Sequence, residues 1–171
     1  SKIEFELAHK PVFLRTIELF NERLDVEQII LAVDPDKLED FKFRWGDQLG
    51  LLGGTPIAGG KAARWETVQI ALEAGSEAAT HVAVHDAARP CASSQMIERV
   101  FAAAERFGAA VPGLPMSDTV KRAEEAPDHS GGDPLDAIFG DAAGPSASTH
   151  QITDTVPRDG LFRVQTPQVF E

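Results

Sequence analysis

Asp86 and Arg89 stand three residues apart, separated only by Ala87 and Ala88, at the end of the run from His81 to Pro90. The apolar stretch before them reads as a short buried strand. A carboxylate and a guanidinium just beyond it can address a metal, a sugar hydroxyl or a phosphate. Two alanines leave room for a ligand to lie against backbone. In an open α/β sheet, ligands bind outside the carboxyl ends of the strands. A helix-capping aspartate and a structural ion pair account for the same four residues.

Other residues admit two readings as well. Gly59 and Gly60 precede a helical pattern that contains Thr67. Such a pair makes a turn, or it supplies side-chain-free backbone on which a nucleotide base lies close, with the Thr67 hydroxyl bonding base or phosphate. Arg158 sits in a turn signal, Pro157 to Gly160, where a solvent-facing arginine is the ordinary expectation. Lys2, by composition alone, is a solvated lysine. His81, His85 and His150 show no metal-ligand spacing, and His85 is not read as a base. No carboxylate spacing matches a calcium loop, and no serine–histidine–aspartate order stands out.

Periodicity supplies the elements that must position these side chains. Lys10 to about Arg23 predicts a helix with Phe13, Ile17, Phe20 and Leu24 on one stripe and Pro11 in its first turn. Val26 to Val33 predicts a strand whose unbroken apolar run suits a parallel sheet covered on both faces. Helices follow over about Pro35 to Trp45, stopped by Gly46, and over Arg64 to Ala74. A strand spans His81 to Val84. A helix from Gln95 to Phe107, capped by Ser93 or Ser94, leads to a strand at Ala109 to Val111. This alternation argues for an α/β domain with a doubly wound, mostly parallel sheet. After Pro112 the pattern changes to extended segments at Thr119–Ala123, Ile152–Val156 and Leu161–Gln165, read as a β-arm over about 113–165. Residues 124–150 carry three prolines, four glycines, six acids and no lysine or arginine, and are read as a solvated loop.

The 171 residues suffice for one domain with a sizeable core. Sixteen basic against 27 acidic side chains give a formal charge of −11, which disfavours general binding to nucleic acid or anionic membranes. A few placed cations still suffice for a nucleotide. Cys91 is the only cysteine, so no intrachain disulfide forms and a reducing, cytoplasmic home is expected. No apolar stretch approaches the roughly 20 residues of a membrane span.

Four segments in series then carry a resemblance over nearly the whole chain: His85 to Pro90; Gly59-Gly60 with Arg64 to Val68; Ser117 to Arg122; and Thr155 to Leu161 followed by Gln165 to Gln168. Together they resemble the 2-C-methyl-D-erythritol 4-phosphate cytidylyltransferases of the non-mevalonate isoprenoid pathway. The resemblance implies a Rossmann-like nucleotidyltransferase fold that transfers CMP from CTP to the sugar-alcohol phosphate and releases pyrophosphate. It implies that Gly60, Thr67, Asp86 and Ala87 serve the nucleotide. Asp86, Arg89, Thr119, Arg158 and Thr166 would shape the acceptor site, and Lys2 and Arg158 would neutralise phosphate charge during transfer. Mg²⁺ is expected, bound mainly through CTP phosphates, with Asp86 as the one possible protein ligand. Relatives dimerise through the arm, so a homodimer is expected. Relatives also carry a Gly-rich phosphate loop before this region and further elements after it, so the chain reads as one domain incomplete at both ends. Two alternatives stand beside this: a cytidylyltransferase for another polyol phosphate, such as ribitol 5-phosphate, and a non-catalytic nucleotide-binding or dimerisation module.

Overall fold

In a computed structural model, residues 2–125 and 150–171 are described. They form two compact units: Ser1–Gly113 with Val164–Glu171, and Leu114–Arg163. The first begins with a single 3₁₀ turn at Lys2–Glu4 and a tight antiparallel pair, β1 (Glu6–Leu7) and β2 (Lys10–Pro11). Ala8 and His9 turn the chain with φ of 49° and 62°, a conformation that non-glycine residues rarely adopt. Arg15 steadies it, donating from Nε to the Leu7 carbonyl at 2.9 Å and from Nη2 to Ala8 at 3.1 Å. That arginine lies on α1 (Val12–Asn21). Pro11 stands just before the helix, and Lys10 and Pro11 belong to β2, so α1 starts two residues later than its periodicity predicts and ends two residues earlier.

The apolar stripe of α1 packs onto β3 (Ile29–Val33) and α2 (Leu38–Leu51). Phe13 is fully buried, with the rings of Phe41 and Trp45 at 5.1 and 5.8 Å. The helix does not stop at Gly46. A side chain there would meet nothing, and the turn beyond it carries Leu49 into the core at 0% exposure. Burial of one leucine is worth about 1.5–3 kcal/mol, against roughly 1 kcal/mol for a glycine inside a helix, so the helix continues. Then β4 (Gly54–Ala58) pairs with β3 in parallel, Ile29 opposite Gly54 through Val33 opposite Ala58. The strand β3 starts at Ile29, not Val26.

After α3 (Arg64–Glu73) comes β5 (Val82–Val84). Next is α4 (Ser94–Phe107), whose cap Ser93 accepts from the Met96 amide at 3.2 Å, and which ends at Gly108 with φ 78°. Then β6 (Ala109–Ala110) leads out of this unit. The chain returns as β11 (Gln168–Phe170), which the sequence pattern did not predict. It lies between β5 and β6 and is antiparallel to both. The strands β5 and β6 therefore run parallel to each other, joined by a helical crossover, with one reversed strand between them. Val169 on β11 closes a second core with Val100 and Ala104 of α4.

The second unit holds β8 (Val120–Glu125) and β9 (His150–Val156) and all but the outermost residue of β7 (Gly113–Pro115) and of β10 (Phe162–Val164). The strands β7 and β10 pair, as do β8 and β9, the latter antiparallel from Val120 opposite Val156 to Glu125 opposite His150. Register slips between Arg122 and Ala123, leaving Thr153 as the extra residue of a bulge. Glu124, Glu125 and His150 thus belong to strands and not to the acidic loop predicted over 124–150; residues 126–149 lie outside the described residues. Thr119 precedes β8.

Candidate active site

The strand β5 ends at Val84 and hands the chain to His85 and Asp86. A tight turn follows, closed by the Arg89 amide donating to the Asp86 carbonyl at 2.9 Å. The Asp86 carboxylate is held from two sides. Arg64 Nη2, from the first residue of α3, reaches Oδ1 at 2.9 Å, and Arg89 Nε reaches Oδ2 at 2.8 Å. Arg89 also donates to the Gln165 carboxamide oxygen. The Asp86 amide donates to Thr166 Oγ at 3.4 Å, and Thr166 itself is buried on the approach to β11. Two guanidiniums on one carboxylate leave a net charge of +1. Both arginine side chains remain about half exposed. Such a cluster attracts anions and suits the oxygens of a phosphate.

Ala87 is fixed from below. Thr16, on the buried stripe of α1, donates its hydroxyl to the Ala87 carbonyl at 2.8 Å. His85 is fixed from the side. Its Nε2 lies 3.1 Å from the Arg89 carbonyl, which can only accept, so Nε2 carries the hydrogen and Nδ1 is the bare acceptor. Nδ1 is buried without a partner among the described residues, and the Phe20 ring lies 5.1 Å from the imidazole. Burial pushes the His85 pKa below the ordinary histidine value; the bond to the Arg89 carbonyl and the nearby Asp86 charge oppose this. His85 is accordingly a structural group that shapes the turn, with burial favouring its neutral form.

The glycine turn is a second constellation. The Gly59 amide donates to Val33 O at 2.8 Å, and the Gly60 amide donates to Thr67 Oγ at 3.0 Å. A Cβ on Gly60 would stand 2.4 Å from Glu66 Cβ and 3.0 Å from the Thr67 nitrogen, so packing against α3 already requires glycine there. Lys61 pairs with Asp36 at 2.5 Å, and this partner pushes the lysine pKa up. Asp34, Asp36, Gly60 and Lys61 line an open depression of about 390 Å³ beyond the carboxyl end of β3.

The structure thus brings Asp86, Ala87, Arg89 and Thr166 into one cluster, and Gly60 and Thr67 into another. The first turn of α3 joins them, because Arg64 and Thr67 are neighbours at i and i+3. Lys2 is exposed, without a side-chain partner among the described residues. Thr119 and Arg158 belong to the unit Leu114–Arg163, where both are exposed and Arg158 donates to the Ser117 carbonyl. Asp86 does not fit as a metal ligand in this arrangement, because both of its oxygens are held by guanidiniums. Among the described residues no group of three or more histidine, cysteine or acidic side chains could hold an ion. Sequence reasoning did not assign Arg64, Gln165 or Thr16 a role. Only Thr16 left a local signal, a hydroxyl set among the apolar positions 13, 14, 17 and 20.

An α/β body whose polar residues gather beyond the carboxyl ends of its strands is a Rossmann-like protein. The family follows from comparison. The profile described as IspD, 2-C-methyl-D-erythritol 4-phosphate cytidylyltransferase, matches residues 1–131, and the chain belongs to that family. It is 33% identical over 162 residues to the "Bifunctional enzyme IspD/IspF" of Desulfotalea psychrophila, covering 95% of this chain and 35% of that protein. It is 29% identical over 170 residues to the 2-C-methyl-D-erythritol 4-phosphate cytidylyltransferase of Bacillus velezensis, covering 99% of this chain and 62% of that one. The chain therefore spans about a third to about three fifths of these relatives. The crystal structure of 2-C-methyl-D-erythritol 4-phosphate cytidylyltransferase from Thermus thermophilus superimposes with a TM-score of 0.63 at 29% identity, covering 99% of this chain and 64% of that one. A crystal structure of a 4-diphosphocytidyl-2C-methyl-D-erythritol synthase gives 0.68 at 25% identity, covering 99% and 69%.

Proposed function

We propose that the protein transfers CMP from CTP to 2-C-methyl-D-erythritol 4-phosphate. A phosphate oxygen of the acceptor attacks the α-phosphorus of CTP in line. The new P–O bond forms as the bond to the β-phosphate oxygen breaks, and pyrophosphate leaves with that electron pair. No covalent enzyme intermediate is involved. Catalysis is positioning and charge neutralisation. The observation that carries this reading is the Arg64–Asp86–Arg89 cluster at the carboxyl end of β5, a cationic edge in a family of cytidylyltransferases.

In this reading Asp86 and Arg89, steadied by Thr166, meet the acceptor, and Thr119 and Arg158 are assigned to it by the family resemblance alone. Gly60, Thr67 and Ala87 border the nucleotide, and Lys2 addresses phosphates. Mg²⁺ is part of the proposal only as an ion carried on the triphosphate's own oxygens, and the chain is assigned no ligand to it. No helix among the described residues is long and apolar enough to cross a membrane, and a cytoplasmic setting is proposed from the single cysteine, Cys91, which leaves no intrachain disulfide to form.

A homodimer through the arm belongs to the same reading. The unit Leu114–Arg163 exposes Leu114, Ile152 and Phe162, each more than half, on ladders that are two-stranded among the described residues. Such ladders are marginal alone and gain from a partner. The activity test is CMP transfer from CTP by the full-length protein, with 2-C-methyl-D-erythritol 4-phosphate compared against ribitol 5-phosphate; preference for the latter overturns the assigned acceptor. The dimer test mixes Arg158→Ala subunits with Asp86→Ala subunits, each nearly inactive alone. If Arg158 serves its partner's site, activity partly returns on subunit exchange. No recovery in proven heterodimers places Arg158 in its own subunit's site.

A further inference from the structure

Arg64 is the one charged member of the Asp86 cluster that neither spacing nor the acceptor assignment accounts for. We propose that Arg64 is a positioning residue, which holds the Asp86 carboxylate so that Arg89 presents its guanidinium to the acceptor phosphate; the inference rests on the acceptor site proposed above. Three observations carry it. The carboxylate is divided, Oδ1 to Arg64 at 2.9 Å and Oδ2 to Arg89 at 2.8 Å. The Arg89 nitrogen nearest Asp86 is Nε, and its Nη1 donates to Gln165, so the guanidinium is shared between two partners. Arg64 is anchored at its root, because the same helical turn holds the glycine turn through Thr67 and caps the Ala62 amide through Glu66 at 3.1 Å.

The physical consequence is specific. A carboxylate and a guanidinium left to themselves pair through two parallel bonds. Without Arg64, Asp86 is free to rotate and take Arg89 in that way, which withdraws Arg89 Nη donors from Gln165 and from a ligand. Arg64 prevents this by occupying Oδ1. It also ties the acceptor cluster to the turn that borders the nucleotide, since α3 cannot shift at one without shifting at the other.

The test is a double-mutant cycle in the full-length protein, with separate Michaelis constants for the two substrates. Arg64→Ala is expected to raise KM for 2-C-methyl-D-erythritol 4-phosphate about five- to tenfold, the scale of one misplaced charge-assisted contact, and to leave KM for CTP within about twofold. Arg64→Lys, which keeps the charge and loses the planar fork, recovers part of the loss. In an Asp86→Asn background, Arg64→Ala adds less than about twofold, because it acts through the carboxylate. Circular dichroism and an unchanged melting temperature establish that the variants fold. A full multiplicative effect in the Asp86→Asn background would show that Arg64 touches substrate directly and overturn the proposal. Equal rises in both Michaelis constants would overturn it too. A wild-type protein that transfers CMP to no polyol phosphate sinks the functional reading and this inference with it, whereas the first two patterns sink the inference alone.

Discussion

Replacing Thr16 by valine tests how the helix beneath the site holds the Asp86 turn. Valine keeps the branched shape and removes one hydroxyl from a position only 4% exposed. The Val12 carbonyl, 3.1 Å from Thr16 Oγ, lies within α1 and keeps its helical N–H partner. The Ala87 carbonyl, 2.8 Å away, has no other hydrogen-bond donor among the described residues. An acceptor left unpaired beside a core costs about 1–3 kcal/mol. The valine methyl, buried where the hydroxyl was, returns up to about 0.8 kcal/mol. The net loss is about 0.2–3 kcal/mol, which corresponds to a fall in melting temperature of up to roughly 12 °C for a domain of this size. Calorimetry reads that shift. Thr16→Ser supplies the contrast. It loses a methyl but keeps the donor, so the turn stays in place and acceptor KM stays at the wild-type value, while Thr16→Val raises it. A Thr16→Val protein with wild-type melting and wild-type kinetics would refute the reasoning. Equal kinetic defects in both variants would show that packing, not the hydrogen bond, positions Ala87.

Gly60→Ala places a methyl 2.4 Å from Glu66 Cβ and 3.0 Å from backbone, so it should destabilise by about 1–3 kcal/mol in denaturant titration even without nucleotide; wild-type stability would mean that the turn relaxes freely. His85 predicts a pH dependence whose sign follows from its depressed pKa. The unfolded chain takes up the proton first as pH falls below about 6.5, so the contribution is complete above that value and is lost as pH drops from there through the folded pKa. Between pH 7.5 and 5.5 the urea midpoint should fall in the wild type and fall less in His85→Gln, Asp86 and Arg89 being the charged groups nearest the ring. Equal slopes would place the titration elsewhere.

What was legible in the sequence, and what was not, divides along the reach of the forces. The helix α4 could be read to within a residue because Ser93, the stripe of Ile97, Val100 and Ala104, and Gly108 are all local signals. The strand β3 could be read from its unbroken apolar run. The continuation of α2 past Gly46 could not, since it depends on where Leu49 lands in a core assembled from α1 and β3. The three residues of β11 carry no periodicity, and only their place between β5 and β6 makes them a strand. At the site, the Asp86–Arg89 pair was visible as spacing. Arg64 was visible only as a member of a motif, because its bond to Asp86 spans 22 positions and leaves no local trace. Thr67 has the predicted hydroxyl, which in this structure is taken by the Gly60 amide.

The reversed strand β11 has a consequence for how the protein is made. Its two neighbours, β5 and β6, are synthesised first, and roughly 60 further residues, the whole arm among them, must be translated before Val169 exists. At ~5–20 residues per second that is an interval of several seconds. During it, β5 and β6 lack the strand that bonds to both, and Val100 and Ala104 of α4 lack Val169, which closes the core over them. The nascent body is thus an open sheet with an apolar helix face, which is the form most prone to mispairing and to chaperone capture. Lengthening the arm prolongs that exposure in proportion, although its thermodynamic cost grows only with the logarithm of its length.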